Sequence, residues 1–180
     1  MAGNTLNINT DKIRSASLSN QFIENVDLFY CSDQPNVETF LREDALRLEE
    51  SNACRTHLYF YDNDLIGFYS LFTDYVNLVS SKRDKEGWKD VATAMDSQAF
   101  PAIRLHYFGI DEKYRSQRLG ELLLMLALDT CVYISNYIGA SFVVLEAFED
   151  SIGFFQKYNF RKVKRNNEFQ IMAIKIDDIK

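Results

Sequence analysis

Proline is nearly missing from this chain, with Pro35 and Pro101 the only two in 180 residues. With 47% apolar and 14% aromatic residues beside that scarcity, the chain is neither disordered nor proline-rich. Its length suits one domain, 1–180, with a substantial core. Cysteine is scarce and odd in number: Cys31, Cys54 and Cys131 show no metal-ligand spacing. No metal site is expected, and the thiols read as free and structural in a reducing compartment. Long apolar runs are missing too. The longest, Leu122–Leu128, falls far short of the ~20 residues a spanning helix needs, so no membrane partner is expected. The opening "MAGNTLNINTDKIRSASLSN" lacks the apolar block of a secretory signal, which points to a cytoplasmic location. Basic residues are outnumbered, 20 Lys and Arg against 26 Asp and Glu, for a net charge of −6. That balance leaves no global electrostatic footprint for nucleic acid, although a local basic patch stays open.

What is present is an ordered series of elements. Residues 1–20 are polar and read as a loose N-terminal segment with a short strand near Leu6–Ile8. After Ser32, Asp33 and Pro35, the helical spacing of Val37, Phe40, Leu41, Ala45 and Leu48 predicts an amphipathic helix over 36–51. "THLYFY" and "LIGFYSLF", separated by "DND", predict a hairpin. Residues 80–98 read as a solvated excursion with some helix, in which Trp88 looks exposed. "AIRLHYFGI", 102–110, is apolar on both faces and hence a central strand. A loop follows, then a helix over 118–137 that is apolar nearly all round and expected to be buried. "SFVVLEA" is a buried strand, "DSIGFFQKY" a short helix, and "FRKVKR" and "EFQIMAIKI" a closing pair of strands. This order predicts an α/β (α+β) sandwich around a mixed sheet.

The stretch "YRSQRLGELLL", 114–124, sets a basic polar loop directly against a wall of leucine. A helix start leaves its first N–H groups unpaired and carries partial positive charge, so behind a central strand it can hold a phosphate. Gly120 has no Cβ and lets an anion approach the backbone, while Arg115 and Arg118 supply charge and bidentate donors. An ordinary loop with a helix cap would show the same residues.

The same stretch, extended to "IDEKYRSQRLGELLL", resembles the acetyl-CoA loop of the GNAT N-acetyltransferase superfamily. That loop's pattern is Gln/Arg-x-x-Gly-x-Gly/Ala, and Gln117, Arg118, Leu119, Gly120, Glu121 and Leu122 occupy it. "SIGFFQKYNFRKV" resembles the family's "AIxFYEKxGF" segment, "DNDLIGFYSL" its central hairpin, and "NVETFLREDALRLEESN" the first helix of a small bacterial branch. Together these cover most of residues 30–176. The chain departs from the pattern at Ser116, Arg118 and Leu122, where glycine or alanine is common. The resemblance implies a mixed, mostly antiparallel central sheet with a splayed central strand, flanked by helices. It also implies acetyl transfer from acetyl-CoA to a primary amine of a small molecule or protein. In that scheme Arg115, Ser116, Gln117, Arg118, Leu119, Gly120 and Glu121 wrap the pyrophosphate. Phe108 and Ile110 offer main chain to pantetheine, and Phe155 walls the thioester.

An ammonium has no lone pair, so the acceptor must lose a proton before attack. His106 and Glu146 are the candidate bases; each also reads plainly, as a packed histidine and as a salt bridge at a strand end. Family members carry a tyrosine proton donor where this chain has Phe155, which leaves Tyr107, Tyr158, water or the incoming amine for the role. Two other functions stay open, a toxin-like acetyltransferase acting on aminoacyl-tRNA and a non-catalytic CoA-binding sensor. Nucleic acid is the less expected partner, with tRNA kept open, and a homodimer is compatible. Arg161, Lys162, Lys164 and Arg165 form the one dense basic cluster.

Overall fold

An aromatic run from Arg55 to Tyr61 folds back at Asp62 and Asn63, Asp62 taking the left-handed φ of 53° that so short a turn demands. The computed structural model, which describes residues 8–94, 98–115 and 117–179, places this hairpin in a seven-stranded sheet. The strands are β1 Ile13–Ser17, β2 Arg55–Tyr61, β3 Asp64–Asn77, β4 Ala99–Ile110, β5 Phe142–Ala147, β6 Arg161–Asn166 and β7 Phe169–Lys175. The helices are α1 Ile23–Leu28, α2 Pro35–Thr39, α3 Ala45–Glu50, α4 Ser80–Glu86, α5 Lys89–Ala94, α6 Leu119–Ser135 and α7 Ile152–Lys157. Strand order is β1-β2-β3-β4-β5-β7-β6. The β4–β5 pair is parallel, and β1–β2, β2–β3, β5–β7 and β6–β7 are antiparallel. Asp111 N–H donates to Ile66 and Leu78 N–H to Gln98, which sets β3 and β4 antiparallel as well. The mixed, mostly antiparallel sheet with helical flanks is therefore as expected. The parallel register covers Ala102–Arg104 against Phe142–Val144, and both strands run on beyond it.

Two compact units divide the chain, residues 1–72 with 106–127 and residues 73–105 with 128–180. In the first, Phe29, Val37, Phe40, Leu41, Leu58 and Phe68 form the core. The helix expected over 36–51 is there but widens into a π-helical turn, Phe40–Asp44, where Ala45 N–H reaches back to the Phe40 carbonyl. That turn lays the Phe40 ring on Tyr107 at 3.9 Å. Two glycines allow the sheet to be approached this closely. A Cβ at Gly67 would lie 2.7 Å from Leu123 Cδ2 and 2.8 Å from the Gly109 carbonyl oxygen, and one at Gly109 2.6 Å from Val37 Cγ1. The N-terminal strand is Ile13–Ser17, paired with β2, because Ala16 can pack on this core; Leu6 lies outside the described residues.

In the second unit, Val76, Leu78, Phe100, Phe142 and Val144 gather around Trp88. Trp88 is 3% exposed, which corrects the expectation of an exposed aromatic. Left-handed Gly87 ends α4 and turns the indole inward, edge-on to Phe142 at 5.0 Å. The charged neighbours in sequence conceal a packing anchor. The expectation for α6 is corrected in part: Met125 and Tyr133 are 42% and 63% exposed, so one stripe of the helix meets solvent. Among the described residues no helix is long and apolar enough to cross a membrane.

Candidate functional site

In the first unit, β4 hands the chain to Asp111, a buried carboxylate. Its Oδ2 accepts the Tyr30 N–H at 2.9 Å and its Oδ1 the Lys113 N–H at 3.0 Å. Asp111 therefore caps the 3-10 turn Glu112–Tyr114 and ties it to the segment between α1 and α2. Glu112 reinforces the tie, donating its N–H to the Tyr30 carbonyl at 2.9 Å and accepting the Ser32 hydroxyl. On the other side Lys113 and Tyr114 each reach the Asp64 carboxylate at 2.5 Å and hold its pKa below the usual range. The loop is pinned from two directions before the glycine is reached.

Arg115 is already engaged. One terminal nitrogen pairs with the Asp33 carboxylate, and the other donates to Cys31 Sγ at 3.0 Å. The Arg115 hydrogen bond lowers the Asp33 pKa. Burial pushes the Cys31 thiol up to about 11, with the nearby guanidinium pulling the other way. Ser116 lies outside the described residues. Gln117 is half-buried, and Arg118 is exposed with a left-handed φ of 59°. A non-glycine residue there stores about 1–2 kcal/mol, at a position where the resemblance leads one to expect glycine. The Arg118 carbonyl accepts the Leu122 N–H at 3.2 Å. By helix geometry the N–H groups of Leu119, Gly120 and Glu121 precede that bond and have no carbonyl within the helix to pair with. The Leu119 side chain is buried, Gly120 half-buried and Glu121 exposed, so this first turn can meet an anion through its backbone.

Phe108 and Ile110 on β4 are half-buried, and His106 is exposed. Aromatic rings frame the imidazole: Phe72 and Tyr107 each edge-on at 4.5 Å, and Phe40 at 5.7 Å. In the second unit Glu146 pairs with Arg104 at 3.1 Å, and Arg104 also holds Asp74 at 2.5 Å. Burial works against the Arg104 charge, but the two carboxylates outweigh it and raise its pKa. Phe155 is buried edge-on to Phe160 at 5.7 Å and Phe154 at 5.1 Å. Tyr158 is half-buried against Phe154, at 5.3 Å. On β6, Arg161 and Arg165 face Glu86 and Glu149, while Lys162 and Lys164 are exposed with no ion pair among the described residues. A polar cavity of about 340 Å³ opens at the C-terminal end of α6, where Lys175 is matched by Asp90 and Asp177. Nothing local in the sequence marks the bonds from Asp111 to Tyr30, from Asp33 to Arg115 or from Arg104 to Asp74 and Glu146, whose partners are distant in the chain.

The family model described as "Acetyltransferase (GNAT) family" matches residues 23–160. Among solved structures, a tyrosine-to-phenylalanine mutant of KacT is similar with a TM-score of 0.79 and 20% identity, over 93% of this chain and 97% of that one. AtaT complexed with acetyl-methionyl-tRNAfMet is similar with a TM-score of 0.78 and 17% identity, over 93% and 96%. AtaTR bound with AcCoA is similar with a TM-score of 0.73 and 17% identity, over 94% and 97%. At these identities the likeness is one of fold. Among curated proteins, no sequence matches the chain.

Proposed function

Because the chain belongs to the acetyltransferase (GNAT) family, we propose that its acceptor is the α-amino group of an aminoacyl-tRNA. Acetyl-CoA is the cosubstrate and supplies an activated acetyl thioester. The observation that carries the choice of acceptor is the fold shared with AtaT complexed with acetyl-methionyl-tRNAfMet across 93% of this chain. Exposed Lys162 and Lys164 on β6 supply local positive charge for a polyanion despite the net −6.

On this reading the N–H groups of Leu119, Gly120 and Glu121 receive the pyrophosphate, with Gln117 and Arg118 completing the loop. Phe108 and Ile110 offer main chain to pantetheine, and Phe155 is an apolar wall. In the reaction the amine nitrogen attacks the thioester carbonyl; a C–N bond forms, the C–S bond breaks, and sulfur leaves as thiolate. His106, exposed on β4 between Phe72 and Tyr107, takes the amine proton through an imidazole nitrogen. Glu146, already paired with Arg104, contributes negative charge more readily than proton transfer. Phe155 has no hydroxyl, and on this reading the thiolate takes its proton from solvent in place of a side chain at that position. Buried Cys31, Cys54 and Cys131 suit a reducing cytoplasm.

The test incubates the protein with acetyl-CoA and either charged tRNA or a panel of small amines and peptides, reading free CoA thiol and acetylated product. Product on tRNA is expected. Transfer to small amines or protein alone refutes the tRNA acceptor and leaves the second reading, which the acidic balance favours. Binding of CoA with no transfer to any acceptor identifies a sensor.

A further inference from the structure

Arg115 spends both terminal nitrogens on the segment between α1 and α2, one on Asp33 and the other on Cys31 Sγ at 3.0 Å. That segment is itself held. The Cys31 N–H donates to the Glu38 carboxylate at 2.9 Å, and Glu38 pairs with Arg42. Arg42 also donates to the Asp27 and Phe29 carbonyls at 2.9 and 2.7 Å. A continuous polar chain thus runs from α2 through Arg42, Glu38, Cys31 and Asp33 to the loop ahead of α6. A guanidinium matched by a carboxylate has its charge already met, and turning it onto a phosphate would break that pair. We propose that Arg115 is a positioning residue clasped by Asp33 and Cys31, which sets the loop geometry for acetyl-CoA without touching its phosphates. The proposal rests on the reading of the 115–121 loop as the acetyl-CoA site.

A phosphate ligand and a clasp give opposite signs at Asp33. If Arg115 bound phosphate, Asp33 would be a competitor, and its removal would tighten binding. As a clasp, Asp33 supports the loop, and its removal weakens binding. Isothermal titration with acetyl-CoA separates the two. Arg115→Ala and Asp33→Ala are each expected to weaken binding by about 1.5- to fivefold, as for a partly exposed pair. The double variant is expected to be no weaker than either single one. The dependence on salt should be unchanged in Arg115→Ala, since no phosphate contact is lost. Exchanging the charges, Asp33→Arg with Arg115→Asp, should recover affinity; Asp33→Asn serves where the alanine variant folds poorly. Tighter binding on loss of the Asp33 charge, a flattened salt dependence in Arg115→Ala, or no recovery in the exchange each overturns the clasp. Binding indifferent to Arg115 and Asp33 yet abolished by Gly120→Val overturns the clasp alone. Binding equally strong in Gly120→Val, or none in the natural protein, removes the acetyl-CoA reading and the clasp with it.

Discussion

One added methyl group at Gly67 measures how much the close approach of β3, β4 and α6 matters. The Cβ of Gly67→Ala would meet Leu123 Cδ2 at 2.7 Å, the Gly109 carbonyl oxygen at 2.8 Å and Ile110 Cδ1 at 2.9 Å. Leu123 is fully buried and has no free side to move towards. The carbonyl belongs to β4 and moves only with the strand. Overpacking of this kind costs about 1–3 kcal/mol, and restricting the unfolded chain returns about 0.4–1 kcal/mol. The net expectation is a loss of about 1–2 kcal/mol, which a urea m-value of about 2 kcal/mol/M turns into a midpoint lowered by about 0.5–1 M. The control is Gly153→Ala on α7, where a Cβ meets nothing within 4 Å and helix propensity gains about 0.5–1 kcal/mol. Both are read by urea unfolding at 25 °C followed by circular dichroism. A Gly67→Ala midpoint at or above the natural one refutes the steric argument. A fall of similar size in Gly153→Ala would show that the loss does not report local crowding.

Arg118→Gly should stabilise the protein by about 1 kcal/mol by releasing the left-handed backbone; an unchanged or lower urea midpoint counts against stored strain. Burial lowers the His57 pKa, so the unfolded chain takes up a proton below about 6.5 that the folded one resists. Stability is therefore full above that pH and falls as pH drops through it, and His57→Gln should flatten the fall; the same slope in the variant assigns it to other groups. Phe155→Tyr should leave turnover unchanged in stopped assays of CoA release. A rise of ~10²-fold would mean that thiolate departure limits the natural protein for want of an acid.

How far sequence predicts this molecule depends on where each residue's partners lie. The strand over 102–110, the α6 helix and the last strand are carried by local apolar runs, and they appear with small shifts of boundary. The glycine loop was legible because Gly120 and Arg118 sit beside the helix they start. Arg115 was legible only as a charge, since Cys31 is 84 residues away in the chain. Gly67 and Gly109 read as ordinary strand residues until their neighbours on α6 and α2 are known. The π turn at Phe40–Asp44 has no local signature, and helical periodicity passes straight through it. Glu146 was an even choice between base and salt bridge, and only the position of Arg104 shows that it is paired.

The burial of Trp88 also has an optical side. It is the single tryptophan of the chain, seated in the core of the second unit against Phe142. Emission excited at the red edge therefore comes from one dry site and is silent about the first unit. Emission and circular dichroism that change together during unfolding would mean that both units open in one step. Curves that separate would time the second unit on its own. An indole in place of Phe40, over Tyr107, would give the first unit a reporter of its own.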